Sequence, residues 1–259
     1  MKKYRLSTFF LGLICLLLLS SLIYITPVYG MSTSLKFVGD IAQTPTMSIA
    51  ESIEKLVTTG KVKNGNLKGV NITKTLEEAG ALYIDEDYHE YGLSKFDGVL
   101  DLEGTNLQGA DFSRLDLQEI NLKNADLFNA DLSNVNWYKA DFSGAKMYWA
   151  TLNKASLRNV NFQGATLGYS DLLGGDFSNA NFKDANMDGV DIRVSNFKGA
   201  NLENVVIEFD GPQNPQYFGA NFTDANFKGA TIYIDEEESV YFCRTIMPDG
   251  TINNRDCES

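Results

Sequence analysis

The chain has 259 residues, 22 of them basic and 34 acidic, giving a formal charge of −12, with one histidine and three cysteines. A surface this acidic is repelled by nucleic-acid phosphates and by anionic membranes, which argues against electrostatic binding to either. A single histidine restricts any Ser-His-Asp or Cys-His triad to the surroundings of His89.

Residues 1–30 begin with Lys2, Lys3 and Arg5, continue in an uncharged apolar run from Leu6 to Ile25, and end in Pro27-Val28-Tyr29-Gly30. That pattern predicts a secretory signal cleaved after Gly30. The run is also close to the roughly 20 residues that span a bilayer, so an uncleaved signal anchor is the alternative and the one membrane contact expected. Cys15 follows Leu13-Ile14, where lipidation would need a small residue, and is not read as a lipid site. Cleavage would leave 19 basic against 34 acidic residues, and Cys243 and Cys257 as the only cysteines. An even pair in an exported chain favours a disulfide, here closing the C-terminal tail, whereas a reducing cytosol would leave two thiols.

Residues 31–95 read as an N-terminal cap. Ser48 to Thr59 spaces its apolar residues for one amphipathic helix, and 65–74 contains Leu67 and Ile72 five apart, a first stretch of the repeat described next. An acidic insertion, Asp85-Glu86-Asp87-Tyr88-His89-Glu90, interrupts it. One histidine among acids lacks metal-ligand spacing, so the segment is read as a solvated charge run, as is Asp235-Glu236-Glu237-Glu238.

From Leu102 to Ile207 a large apolar residue recurs at every fifth position, as in Leu107, Phe112, Leu117 and Leu122. Two residues before each stands a small or β-branched residue, such as Ala110, Ala125 or Ala130, and between them most often Asp or Asn. No helix or flat strand has a period of five; strict short-period self-similarity marks a solenoid. The phase survives Asp210-Gly211-Pro212-Gln213-Asn214-Pro215 and resumes at Ala220-Asn221-Phe222. The two prolines remove ladder donors, so a bulge is expected there, with the rod continuing to about 234 and a C-terminal cap over 235–259.

The unit A-[DN]-[LF]-x-x resembles that of the pentapeptide-repeat family. The resemblance implies an all-β, right-handed, quadrilateral β-helix of four units per turn, here with a short N-terminal capping helix. Residues twenty apart would then stack, Phe142, Phe162 and Phe182 in one column and Phe177 and Phe197 in another. The helix followed by Asn66-Leu67-Lys68-Gly69-Val70, and the tail Phe242 to Asn254, are similar to exported members from photosynthetic bacteria. Those imply a terminal cap held by a cysteine pair, matched by Cys243 and Cys257, and a second pair at the N-terminal lead-in, where this chain has Val62 and Gly65.

The Asp/Asn column from Asp101 to Asn201 could be pictured as a calcium ladder, but its mixture with Ser and Thr reads better as turn formers. Ala81 to Glu86 and Thr231 to Glu236 are alike and are read as strands leaving the solenoid. The sharper feature is aromatic residues at outward positions: Phe128, Tyr138, Tyr148, Trp149 and Tyr169. Such a patch is a candidate site for a protein partner or a sugar ring; the alternative is that the rings only reinforce the ladder. The expected function is therefore an exported, non-catalytic protein-interaction rod of the periplasm or thylakoid lumen, with no cofactor, metal or nucleic acid. A second class follows from the resemblance, since some family members are acidic DNA mimics that inhibit gyrase; a start at Met31 would give the cytosolic form this needs. An enzyme or metal site around His89 is the third and weakest reading.

Overall fold

The computed structural model describes residues 47–85, 90–93, 99–208, 216–232 and 239–257, all within one compact unit, Gln43–Ser259. Residues 1–30, read above as a signal, His89 with most of its acidic neighbours, the Pro212/Pro215 segment and the acidic run at 235–238 lie outside the described residues.

Helix α1 (Ile49–Thr59) starts at a capping box, Ser48 accepting from the Glu51 amide and the Glu51 carboxylate accepting from the Ser48 amide, and stops at Gly60 with φ 67°. Its buried side chains, Ser52 and Leu56, close the end of the core, and the Asn66 amide donates to Ser52 Oγ at 2.9 Å. At Gly65 a Cβ would lie 2.3 Å from Val62 Cγ1, so valine fills the space in which the resemblance places a cysteine pair.

From Asp101 to Asn186 each outward Asp/Asn-type position pairs in parallel with the one twenty residues later, as in Asn106 with Asp126 and Lys146 with Thr166. Twenty residues are four five-residue units, so each coil has four sides. The first side carries Leu102, Leu122 and Phe142 inward, the second Leu107, Leu127 and Met147, the third Phe112, Leu132 and Leu152, the fourth Leu117, Trp137 and Leu157. Amides run between coils, for example Leu127 N to Lys146 O at 2.7 Å and Asp126 N to Thr105 O at 3.0 Å, while Ala130 N turns back to Leu127 O at 3.0 Å.

The ladder starts earlier than expected and is interrupted once. Lys61, Asn66 and Asn71 pair with Asp101, Asn106 and Asp111, forty residues on. The surplus leaves between the third and fourth sides as α2 (Ile72–Glu78) and β1 (Leu82–Asp85), and β2 (Glu90–Leu93) returns to serve as the fourth side. β1 pairs antiparallel with β2, outside the coil stack. Strands β3 (Val99–Asp101) with β5 (Glu119–Asn121), and β4 (Leu115–Leu117) with β6 (Asn136–Trp137), begin the regular stack.

Near the other end β7 (Val206–Ile207) pairs in parallel with β8 (Thr231–Ile232), twenty-five residues on. Thr231–Ile232 thus stays in the stack, a correction to the reading of it as a departing strand: one additional five-residue unit is accommodated without loss of phase. The ladder passes the boundary expected at 234, through Tyr241 and Ile246 paired with Asn221 and Asn226. It ends in an antiparallel hairpin, β9 (Thr245–Ile246) with β10 (Ile252–Asn253), turned at Pro248-Asp249-Gly250 with Gly250 at φ 86°. A Cys243–Cys257 disulfide, Cα atoms 4.7 Å apart, ties the tail to the last coil.

Inside, one large residue per unit fills the centre. Phe142, Phe162 and Phe182 stack at 4.9 and 4.6 Å, and Phe177, Phe197, Phe222 and Phe242 at 5.2, 5.5 and 5.9 Å. Trp137 is wholly buried between Phe112 and Phe142 and donates its indole N–H to Leu115 O at 2.8 Å. Where the small position holds a hydroxyl it is satisfied across coils: Ser170 to Met147 O and Ser195 to Leu172 O at 2.6 Å, Thr245 to Phe222 O at 2.7 Å.

Candidate functional site

Each corner of the coil is formed by the second residue after the central one, and from Asn124 to Asn204 it sits in the left-handed region, as at Asn129 (φ 55°), Asn159 (φ 58°) and Gly189 (φ 65°). Gly and Asn suit this backbone, whereas larger side chains there cost about 1–2 kcal/mol. Long cationic side chains hold some corners, as at Arg114, Lys139, Lys154 and Arg244, and three apolar ones do so while exposed: Trp149 (φ 61°), Tyr169 (φ 55°) and β-branched Val194 (φ 51°). This corner requirement was the signal missed in the sequence, because the third outward position looks unconstrained until the chain is known to turn there.

The outward Asp/Asn column acts as a set of turn formers. Asp131 Oδ1 accepts the Ser133 amide at 2.8 Å and Asp141 Oδ1 the Ser143 amide at 2.9 Å. On the first side the amides also bond between coils, Asn161 to Asp141, Asn181 to Asn161 and Asn201 to Asn181, each at 3.1 Å. Among the described residues no group of three His, Cys, Asp or Glu side chains is placed to hold a metal ion.

Four of the five outward aromatics come together. Phe128 and Tyr148 project from the second side, and Trp149 and Tyr169 from the corner that follows it, their rings stacked at 5.0 Å and 13°. The stack leans over Gly189, whose added Cβ would lie 2.6 Å from Tyr169 Cε1; likewise Tyr148 lies over Gly168, where a Cβ would be 2.4 Å from its Cε1. Glycine in the next coil makes room for each ring. Trp149 remains 55 % exposed and Phe128 46 %. Tyr138 belongs elsewhere, a correction to the single patch: its unit forms the fourth side, opposite the second, and Lys139 Nζ lies 5.1 Å from its ring centroid. Phe128 and Tyr148, with Gln108, Asp126, Lys146 and Thr166, line a cleft of about 440 Å³ on the second side.

Ion pairs run along the described stack, as in Arg158–Asp176, Lys183–Glu203 and Arg193–Asp191, and reach both of its ends. Lys63 reaches Glu103 at 2.9 Å and Asp101 at 3.3 Å, and Glu103's carboxyl is held below its usual range by that hydrogen bond. At the C-terminal end Arg244 grips Asp224 through Nε at 2.6 Å and Nη2 at 2.8 Å and lowers its pKa. Asp256 is lowered chiefly by Arg255 and also accepts the Phe242 amide at 2.8 Å.

A coil of four five-residue units around a single apolar column defines a repeat rod. The pentapeptide-repeat family model matches eight copies, over residues 100–134, 120–159, 161–199 and 176–207, so this part of the chain is similar to that family. Pentapeptide-repeat proteins are generally non-enzymatic structural or interaction proteins. Comparison with curated proteins returns no match. Solved structures similar to the chain include HetL of Nostoc sp. strain PCC 7120, a protein involved in heterocyst differentiation regulation (21 % identity, 74 % of this chain and 91 % of that one, TM-score 0.26). The plasmid-mediated fluoroquinolone resistance protein QnrB1 matches at 17 % identity over 61 % of this chain and 79 % of its own, TM-score 0.35. A pentapeptide-repeat protein of the Arabidopsis thaliana thylakoid lumen matches at 25 % identity over 42 % and 72 %, TM-score 0.22. At these scores none of the three bears on partner or activity. No helix among the described residues is long and apolar enough to cross a membrane.

Proposed function

We propose that the protein is a non-catalytic binding rod, exported to the periplasm or a thylakoid lumen, that engages a protein partner through the corner bearing Trp149 and Tyr169. The observation that carries this reading is the pairing of exposure with backbone cost: two aromatic rings stand in left-handed corners that Asn129 and Gly189 occupy in the same column. Large rigid rings presented at little entropic cost are typical anchors of protein interfaces. The surrounding polar outward positions supply the rim. Export is supported by the basic, apolar and small-residue pattern of 1–30 and by a cysteine pair fit to bridge.

The test is affinity capture from each cell fraction with the native protein and with the Trp149→Asn/Tyr169→Asn double variant. A partner held by the native rod and lost from the variant supports the reading; equal capture by both refutes it. Intact mass of the native protein addresses export: loss of residues 1–30 with two hydrogens missing before reduction is expected. A cytosolic product starting at Met31 with free thiols would favour the second reading, DNA mimicry, which the charge of −12 permits. Inhibition of a topoisomerase would then be the assay.

A further inference from the structure

We infer that the cleft on the second side binds a neutral saccharide, one pyranose ring lying against Phe128 and Tyr148 with its hydroxyls bonded to the polar column beside them. The proposal rests on the reading of this rod as a binding surface, but concerns the cleft and not the Trp149–Tyr169 corner.

The polar column on this side is composed differently from its counterpart on the first side. There the outward amides are spent on one another, Asn161, Asn181 and Asn201 forming a continuous ladder. On the second side the equivalent stacked positions are Asp126, Lys146 and Thr166. Asp126 Oδ1 accepts the Phe128 amide at 3.2 Å and Oδ2 accepts Gln108 Nε2 at 2.7 Å, leaving further lone pairs on both oxygens. Lys146 makes no ion pair, and the Thr166 hydroxyl no hydrogen bond, among the described residues. An acceptor, an ammonium and a hydroxyl thus stand in a row on successive coils, the first two each two residues before a ring, exposed Phe128 and half-buried Tyr148.

That juxtaposition suits a sugar. A pyranose presents an apolar C–H face to an aromatic ring and a rim of hydroxyls that both donate and accept. Successive coils repeat at the strand spacing of about 4.8 Å, comparable to the advance per residue of an extended glycan, so adjacent sugars would meet successive members of the column. The two rings do not close on each other as Trp149 and Tyr169 do, and the opening of about 440 Å³ accommodates one or two sugar rings. Neutral glycans are favoured because an anionic one would approach a chain of charge −12.

Two tryptophans are present and Trp137 is wholly buried, so emission changes on titration report Trp149, at the margin of the cleft. The native protein is titrated separately with maltohexaose, cellohexaose and chitohexaose, followed by fluorescence and by calorimetry. Saturable binding of at least one, weakened tenfold or more by Phe128→Ala and by Lys146→Met with unchanged circular dichroism, is expected. No saturation with any of the three up to about 10 mM, a range that covers weak glycan affinities, overturns the proposal. So does binding indifferent to both substitutions. Should Phe128→Ala unfold, Lys146→Met and Gln108→Ala carry the test. Loss of sugar binding alongside intact, corner-dependent protein capture would sink the cleft assignment alone; failure of capture with retained sugar binding would sink the corner reading instead.

Discussion

Exchanging Trp149 and Tyr169 together for asparagine separates a ring kept for binding from a ring kept for the fold. A little under half of Trp149 is covered, so of the up to ~250 Å² a tryptophan can bury, about 110 Å² is lost on removal, worth at most ~3 kcal/mol. Asparagine recovers part of that by covering the same backbone, and already does so in this column at Asn129. The ring stack contributes a further ~0.5–1.5 kcal/mol, counted once for the pair. Against these losses, each exchange relieves about 1 kcal/mol of left-handed strain, since asparagine tolerates that backbone. Tyr169, 39 % exposed, gives up a comparable area, so the double variant should lose about 4 kcal/mol in all, or about 2 kcal/mol per exchanged ring. Phe162→Ala, which empties the middle of a stack wholly buried between Phe142 and Phe182, should cost about 3–5 kcal/mol alone. Thermal unfolding of the two variants beside the native protein gives the ranking. If the corner exchanges cost as much per ring as Phe162→Ala, the rings are part of the ladder and the proposed interface loses its foundation.

Reduction of Cys243–Cys257 should loosen the terminal hairpin before the coils, with a loss on the order of 3 kcal/mol in the chain-entropy account; hydrogen exchange over residues 241–257 with and without reductant reads it out. Acid should act on the same end. Asp224 and Asp256 have folded pKa values below their unfolded ones, so their contribution is complete above the unfolded value near 4 and disappears as pH falls through the folded values. Limited proteolysis with an acid-active protease should find the C-terminal cap intact at pH 5 and cleaved first as pH approaches 2, and resistance unchanged across that range would contradict the sign. Gly175 stands at a small position where alanine is the rule, yet a Cβ there would lie 2.5 Å from Phe177 Cε2; Gly175→Ala should destabilise by about 1–3 kcal/mol, and a neutral or stabilising result would show that the Phe177 ring shifts freely.

Periodicity of five was legible because it is enforced by the core: an inward residue that missed its turn would leave a void in a column with no other source of packing, as between Phe177, Phe197 and Phe222. What was not legible follows from the same physics. A solenoid transmits phase and not coil number, so the interruptions at the acidic insertion and at Pro212 and Pro215 were legible but the coil pairing across them was not; the forty-residue step from Lys61 to Asp101 and the twenty-five-residue step from Val206 to Thr231 appear only when coils are paired. Tyr138 was misassigned for a related reason, since spacing of ten moves a residue to the opposite side of a four-sided coil while leaving its place within the unit unchanged. The corner conformation was hidden because the residues that tolerate it best, Asn and Gly, also look like ordinary surface filler. Its exceptions are therefore the more informative: Asn129 and Gly189 satisfy the same column, so the corner conformation itself does not require the exposed indole between them.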